Sequence, residues 1–273
     1  MSSPNKFLPI DESPISFDYL RKFNMAMGVL HLVQGLLMLF LGFILDFRRD
    51  LYTFYLKFER VSQDVFNIYP NPEIFYSITE VGPWIASFLL MSALAHFLIA
   101  FPFYDRYVNG LKNYINKIRW YEYAFSSSVM VVLIAILFGV WSFWLLFAIF
   151  VSNALMNMFG LLMEKMNQNR DEVDWMPYIL GWIAGAVPWV IIMSYFAITI
   201  MAGDAGRIPS FVYVIFVVEF IIFNSFAFNM LLQYKKVGPW KDYLYGERGY
   251  QILSLVAKTL LAWLVFAGLF QPQ

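Results

Sequence analysis

Seven stretches of this chain stay apolar for about the 20 residues that a membrane-crossing helix needs. They lie near 22–45, 82–103, 114–138, 143–164, 176–201, 209–233 and 248–270. Polar and turn-forming residues punctuate them. Asp46 to Asp50 is charged and Phe103 to Asn113 is polar. MNQNRDEVD, AGDAGRIP and YKKVGPWKD follow the fourth, fifth and sixth stretches. The connections are short except for residues 47–81. Inside that loop TFYLKFE alternates polar and apolar side chains, the period of a strand, so a short β-hairpin on the membrane surface is expected. The pattern predicts an all-α membrane protein, a seven-transmembrane-helix bundle forming one domain over 1–273, with 1–20 as a segment outside the bilayer.

Composition agrees with the pattern. The 273 residues are 60% hydrophobic, 20% aromatic and only 14% charged, where a soluble domain carries roughly a quarter charged. The surplus apolar surface has to face lipid. A net charge of zero removes the case for nucleic-acid binding. Without cysteine there is no disulfide, thiolate metal site or thiol nucleophile. The two histidines, His31 and His96, are too few and too far apart for a zinc signature. Neither a Gly-rich phosphate loop nor a Gly-x-Ser-x-Gly elbow occurs, and no enzyme is expected. The N-terminus, MSSPNKFLPIDESPISFDY, is polar with prolines and does not read as a signal peptide.

Lysine and arginine placement sets orientation. Lys6, Arg21, Lys22, Arg106, Lys112, Lys117, Lys165, Arg170, Lys235, Lys236, Lys241 and Arg248 fall on the N-terminal side. The opposite side has Arg207 and, in the long loop, Arg48, Arg49, Lys57 and Arg60. The N-terminus and residues 1–20 are therefore expected in the cytoplasm of a cell-membrane protein, and the C-terminus outside.

Against this apolar background the buried polar residues stand out. Lys258, in SLVAKTLLAW, sits in the middle of the seventh span, where an ammonium costs roughly 2.5–3.5 kcal/mol on insertion scales. Counted from Arg248 it is ten residues in, about 15 Å. Glu122 is also ten residues in if the third span begins near Lys112. Equal depth on two helices suits a buried ion pair, either purely structural or functional. Around it lie Arg119 and Ser126, one turn either side of Glu122, and Ser254, one turn before Lys258. Ser92 and His96 in the second span, Asn24, His31 and Gln34 in the first, and Asn153 and Asn157 in the fourth add polar positions. Helix–helix hydrogen bonding explains each singly; together they describe a polar cluster around one cation. Trp189, Phe223, Phe226 and Trp263 lie well inside spans and could wall a flat apolar ligand, or simply pack. Pro188 should kink the fifth span and free a carbonyl. Glu219, near the middle of the sixth span, reads as a hydrogen-bonded carboxyl group or as part of a proton path. Glu164 closes the fourth span, where snorkelling to water is the plain reading.

A lysine in the seventh of seven helices suggests a retinal Schiff base. The amine condenses with an aldehyde, and a nearby anion such as Glu122 then balances the positive charge. Here the sequence resembles the heliorhodopsins. RWYEYAFSS looks like that family's counterion segment and SLVAKTLLAW like its retinal-lysine segment, with Ser254 where ordinary microbial rhodopsins usually place an aspartate. The resemblance covers essentially the whole chain. It implies all-trans retinal covalently bound to Lys258, Glu122 as sole counterion and Ser254 in contact with the Schiff base. It also implies a polar cavity of His31, Ser92 and His96, with Arg119, Asn153 and Glu164 at polar positions, and Trp189 and Trp263 on the polyene. An inverted topology, a small sheet after the first helix near a homodimer interface, and a light sensor without ion pumping are implied too. A cytosolic partner, as yet unknown, would meet the loop YKKVGPWKDYLYGE, although that basic aromatic loop also suits lipid headgroups. Glu219 and the histidines leave open a light-gated proton or cation conductor. A seven-helix protein with no chromophore is the remaining reading.

Overall fold

The computed structural model describes residues 7–44, 47–168, 170–204, 206 and 208–270. Lys6, Asp46, Arg207 and the C-terminal Gln273, all used in the orientation and boundary reading, lie outside these residues. Among the described residues eight α-helices form: α1 (Phe17–Leu41), α2 (Gly82–Ala100), α3 (Tyr104–Lys112), α4 (Lys117–Leu137), α5 (Phe143–Met166), α6 (Met176–Thr199), α7 (Ser210–Tyr234) and α8 (Tyr243–Phe270). Seven of them, all but α3, are long and apolar enough to cross a membrane.

Local chemistry sets several starts. Ser16 Oγ accepts the Tyr19 N–H ahead of α1, and Asn116 Oδ1 accepts the Arg119 N–H ahead of α4, each satisfying a donor that the first turn leaves free. Proline stands in the first turn of α2 and of α6, where its missing N–H costs nothing. Inside α6, Pro188 frees the Ala184 carbonyl, and Ser152 of α5 donates to it at 2.8 Å. Gly42 and Gly82 let α1 and α2 touch backbone to backbone: a Cβ on Gly82 would lie 2.8 Å from Gly42 Cα.

Two elements differ from the expected layout. The stretch from Phe103 to Asn113 holds an amphipathic helix, α3, rather than a plain polar break; Tyr107 and Leu111 bury one side of it. The hairpin is also longer than a short surface turn. β1 (Arg49–Ser62) and β2 (Val65–Ile78) are 14 residues each and pair antiparallel about a two-residue turn at Gln63 and Asp64. Its root is tied to the α4–α5 connection. The Tyr52 N–H donates to Trp141 O at 2.8 Å, and the Phe75 ring meets Phe143 at 4.3 Å.

The helices pack in the neighbour pairs α1–α2, α2–α4, α4–α5, α5–α6 and α7–α8. Of the seven long helices α4 buries most of itself, and α6 and α7 least. One apolar core lies toward the hairpin end, around Met38, Phe88, Leu133, Ile149 and Leu261. A smaller one lies at the other end, around Leu20, Ile99, Tyr107, Leu111 and Tyr243. That second end carries α3 and the α7–α8 turn and is called the basic end below. Between α6 and α7 aromatic rings do the bridging, Trp189 to Phe216, Phe220 and Phe223.

Candidate functional site

Lys258 lies on the inner face of α8, on a run of polar residues spaced four, three and four apart: Glu247, Gln251, Ser254 and Lys258. That spacing keeps them on one stripe of the helix. Lys258 Nζ is 3.2 Å from Glu122 Oε1 and donates to Ser254 Oγ at 2.8 Å. It also stands 5.1 Å from the centre of the Tyr123 ring, a favourable place for a cation. Ser92 of α2 donates to the same Glu122 oxygen at 2.6 Å. The lysine and glutamate side chains are 3% and 8% exposed. In so dry a place each charge depends on the other, since a lone one would be costly.

The two charges meet at one depth, although they do not lie equally far into their helices. Glu122 is five residues into α4 and Lys258 fifteen into α8, roughly 8 and 22 Å along their helices. The helices start at different heights. α8 begins at Tyr243, in a region that Gly, Glu and Arg make look like a loop, while α4 begins only after α3 and a turn.

On one side of this pair lies a polar cluster between α1 and α2. His96 Nδ1 is 2.8 Å from Asn24 Oδ1, and the His31 ring stacks on His96 at 5.5 Å. Both His31 nitrogens are buried without a hydrogen-bond partner among the described residues. On the other side Lys258 and Ser254 reach a cavity of about 290 Å³ between α4, α5, α6 and α7, near the lower end of small-molecule pockets. Trp189, Phe220, Phe223, Met130 and Tyr178 are among its walls. Asn157 and Ser127 supply polar spots, and Asn153 donates to Ser127 and Ser128 at 2.8 and 3.0 Å.

Several expected members sit elsewhere. Trp263 is not a wall of the cavity; it is 38% exposed, and its indole N–H donates to Gln34 Oε1 at 3.2 Å. Ser126 is buried but does not line the cavity, and its hydroxyl finds no partner among the described residues. Asn153 belongs to the α4–α5 side, away from the histidines. Glu219 is buried on α7, neither lining the cavity nor bonded through either oxygen among the described residues.

Arg119 and Glu164 form a second charged centre at the basic end. Arg119 pairs with both Glu164 and Glu247. Glu164 is 1% exposed, so it does not snorkel to water; Trp120 Nε1 and the Asn116 N–H donate to it at 2.7 and 3.0 Å. The Arg119 guanidinium lies 4.1 Å from the Tyr250 ring centre. Glu247 also accepts from Asn116, Gln251 and Tyr107, at 2.8, 3.1 and 3.2 Å. Tyr107 reaches Asn24 at 3.5 Å, so hydrogen bonds run from His96 to Arg119. Burial pushes the Tyr107 hydroxyl up to about 12, so it keeps its proton at neutral pH. Glu247, Gln251, Tyr107 and Asn116 were not singled out in the sequence. The polar stripe of α8 was the available signal, and starting the seventh span at 248 cut it in two.

Compared with known families, residues 20–270 match the model described as Heliorhodopsin. No curated protein matches the chain.

Proposed function

Because this chain belongs to the heliorhodopsin family, a rhodopsin-type light-sensing integral membrane protein, we propose that it senses light through all-trans retinal held covalently on Lys258, with Glu122 as counterion. The observation that carries this is one nitrogen with two surroundings: Lys258 Nζ reaches an apolar aromatic cavity and lies 3.2 Å from a buried carboxylate. The residues fit the group. An amine stands at the cavity's end, an anion balances it, and the walls are rings and methyl groups suited to a polyene. When bound, retinal supplies absorption of visible light and a change of shape.

The chain's own residues do the rest. Lys258 anchors, Glu122 holds positive charge at Nζ, and Ser92 and Ser254 fix where those two atoms sit. Trp189, Phe220 and Phe223, packed ring on ring, form the α6–α7 wall that would confine the ligand. With Ser254 one turn before Lys258, no second carboxylate reaches Nζ among the described residues, which supports sensing without pumping. A displacement at Nζ would bear on α8 and, through its stripe, on the Glu247–Arg119–Glu164 centre. Signalling to a cytosolic partner from the basic end, with the N-terminus in the cytoplasm, follows from that reading. The exposed apolar residues of the hairpin, Phe54, Leu56, Phe58 and Phe66 among them, support a homodimer.

All-trans retinal added to the expressed protein should produce a visible absorption band that Lys258→Ala abolishes. No band, or a band surviving that substitution, refutes the proposal. A light-gated conductor is the second reading, favoured by the Glu219 carboxyl on α7, which has no partner among the described residues. It requires photocurrents that reverse with voltage and vanish in Glu219→Gln; their absence leaves the sensor.

A further inference from the structure

A second cavity, of about 350 Å³, lies between α7 and α8 at the basic end. It is separate from the cavity at Lys258 and shares no lining residue with it. Phe228 and Leu232 of α7 face Ile252 and Leu253 of α8 across it. Phe228 and Ile252 are exposed, so this groove opens on the flank that meets lipid. Its α7 wall runs from Leu232 to Ser225, roughly 10 Å along the helix. At the mouth stand Trp240, Tyr245 and Arg248. The Trp240 and Tyr245 rings pack edge to face at 5.2 Å, and Trp240 Nε1 is tied to Asn229 Oδ1 at 2.8 Å. Arg248 Cζ lies 5.0 Å from the centre of the Tyr245 ring. No carboxylate among the described residues pairs with this guanidinium. It differs in that from Arg119, whose charge is balanced by Glu164 and Glu247. Lys235 and Lys241, both exposed, flank the same turn.

We propose that this groove is a binding site for one anionic phospholipid, its acyl chain between α7 and α8 and its phosphate at Arg248. Three features select that occupant. The groove is open to the bilayer, so its ligand comes from there. Its walls are mostly apolar over about two helical turns, Phe228, Leu232, Ile252 and Leu253 outweighing the polar Ser225 and Asn229. Its mouth carries a cation without an internal anion, between a tryptophan and a tyrosine of the kind that settle at headgroup level. Arg248 follows Glu247 directly, so the lipid would steady the part of α8 that holds the inner charged centre. The proposal does not depend on the chromophore.

Native mass spectrometry of the full-length protein in detergent, titrated with phosphatidylglycerol and with phosphatidylcholine, tests it. Phosphatidylglycerol should be retained about fivefold more tightly, the worth of one arginine near a charged headgroup. Arg248→Gln should bring the two lipids to parity, and Arg106→Gln, a cation of the same end outside the groove, should leave the preference intact. Leu253→Trp, which fills the groove, should weaken retention of both lipids. Equal retention by the unmodified protein, or a preference that survives Arg248→Gln, overturns the proposal, and the first of these needs no variant to fold.

Discussion

Lys258 has three N–H bonds and three things to meet: Glu122, Ser254 and the face of Tyr123. Glu122 in turn shares one oxygen between that ammonium and the Ser92 hydroxyl. This economy makes opposite predictions for two substitutions in the retinal-loaded protein. Glu122→Gln removes the anion that localises positive charge at Nζ, and the absorption band should move to longer wavelength. Ser92→Ala removes a hydrogen bond that draws charge off the carboxylate, so the band should move the other way and by less. An absorption spectrum of each variant decides. An unchanged Glu122→Gln spectrum removes the counterion role, and a red shift in Ser92→Ala contradicts the account of the shared oxygen.

At the scale of elements, α8 carries the design. Its stripe joins a charged pair at Lys258 to a charged triad at Glu247, and α3 is held onto that stripe through Tyr107. Removing one member of a buried ion network strands the others and costs about 3–5 kcal/mol. Glu247→Ala should therefore lower the thermal midpoint in detergent far more than Glu59→Ala on the exposed hairpin; equal midpoints would show that the triad is dispensable. α3 shows how an element was overlooked. Tyr104, Tyr107, Val108 and Leu111 have helical spacing, but nine residues lie below the length at which an apolar run attracts notice.

For the whole molecule, the seven long helices and the hairpin between α1 and α2 give two unlike ends. The basic end is sealed by charge pairs and aromatic rings, the other by an apolar core under the hairpin root. Lysine and arginine asymmetry favours the basic end in the cytoplasm. A tag placed after Gln273 should then react with an impermeant reagent on intact cells; labelling only after the cells are opened would reverse the orientation.

The sequence alone determined the number of spans, the position of the hairpin and the identity of the membrane-embedded lysine and carboxylate. Each is written in local terms: run length, alternation, or a charge where lipid tolerates none. It did not determine where α8 begins, that Glu164 and Glu247 share Arg119, that Trp263 turns outward to Gln34, or that Glu219 finds no partner among the described residues. Those depend on helix height and rotation, which are set by the faces that neighbouring helices bury against each other, and only the tertiary structure decides them.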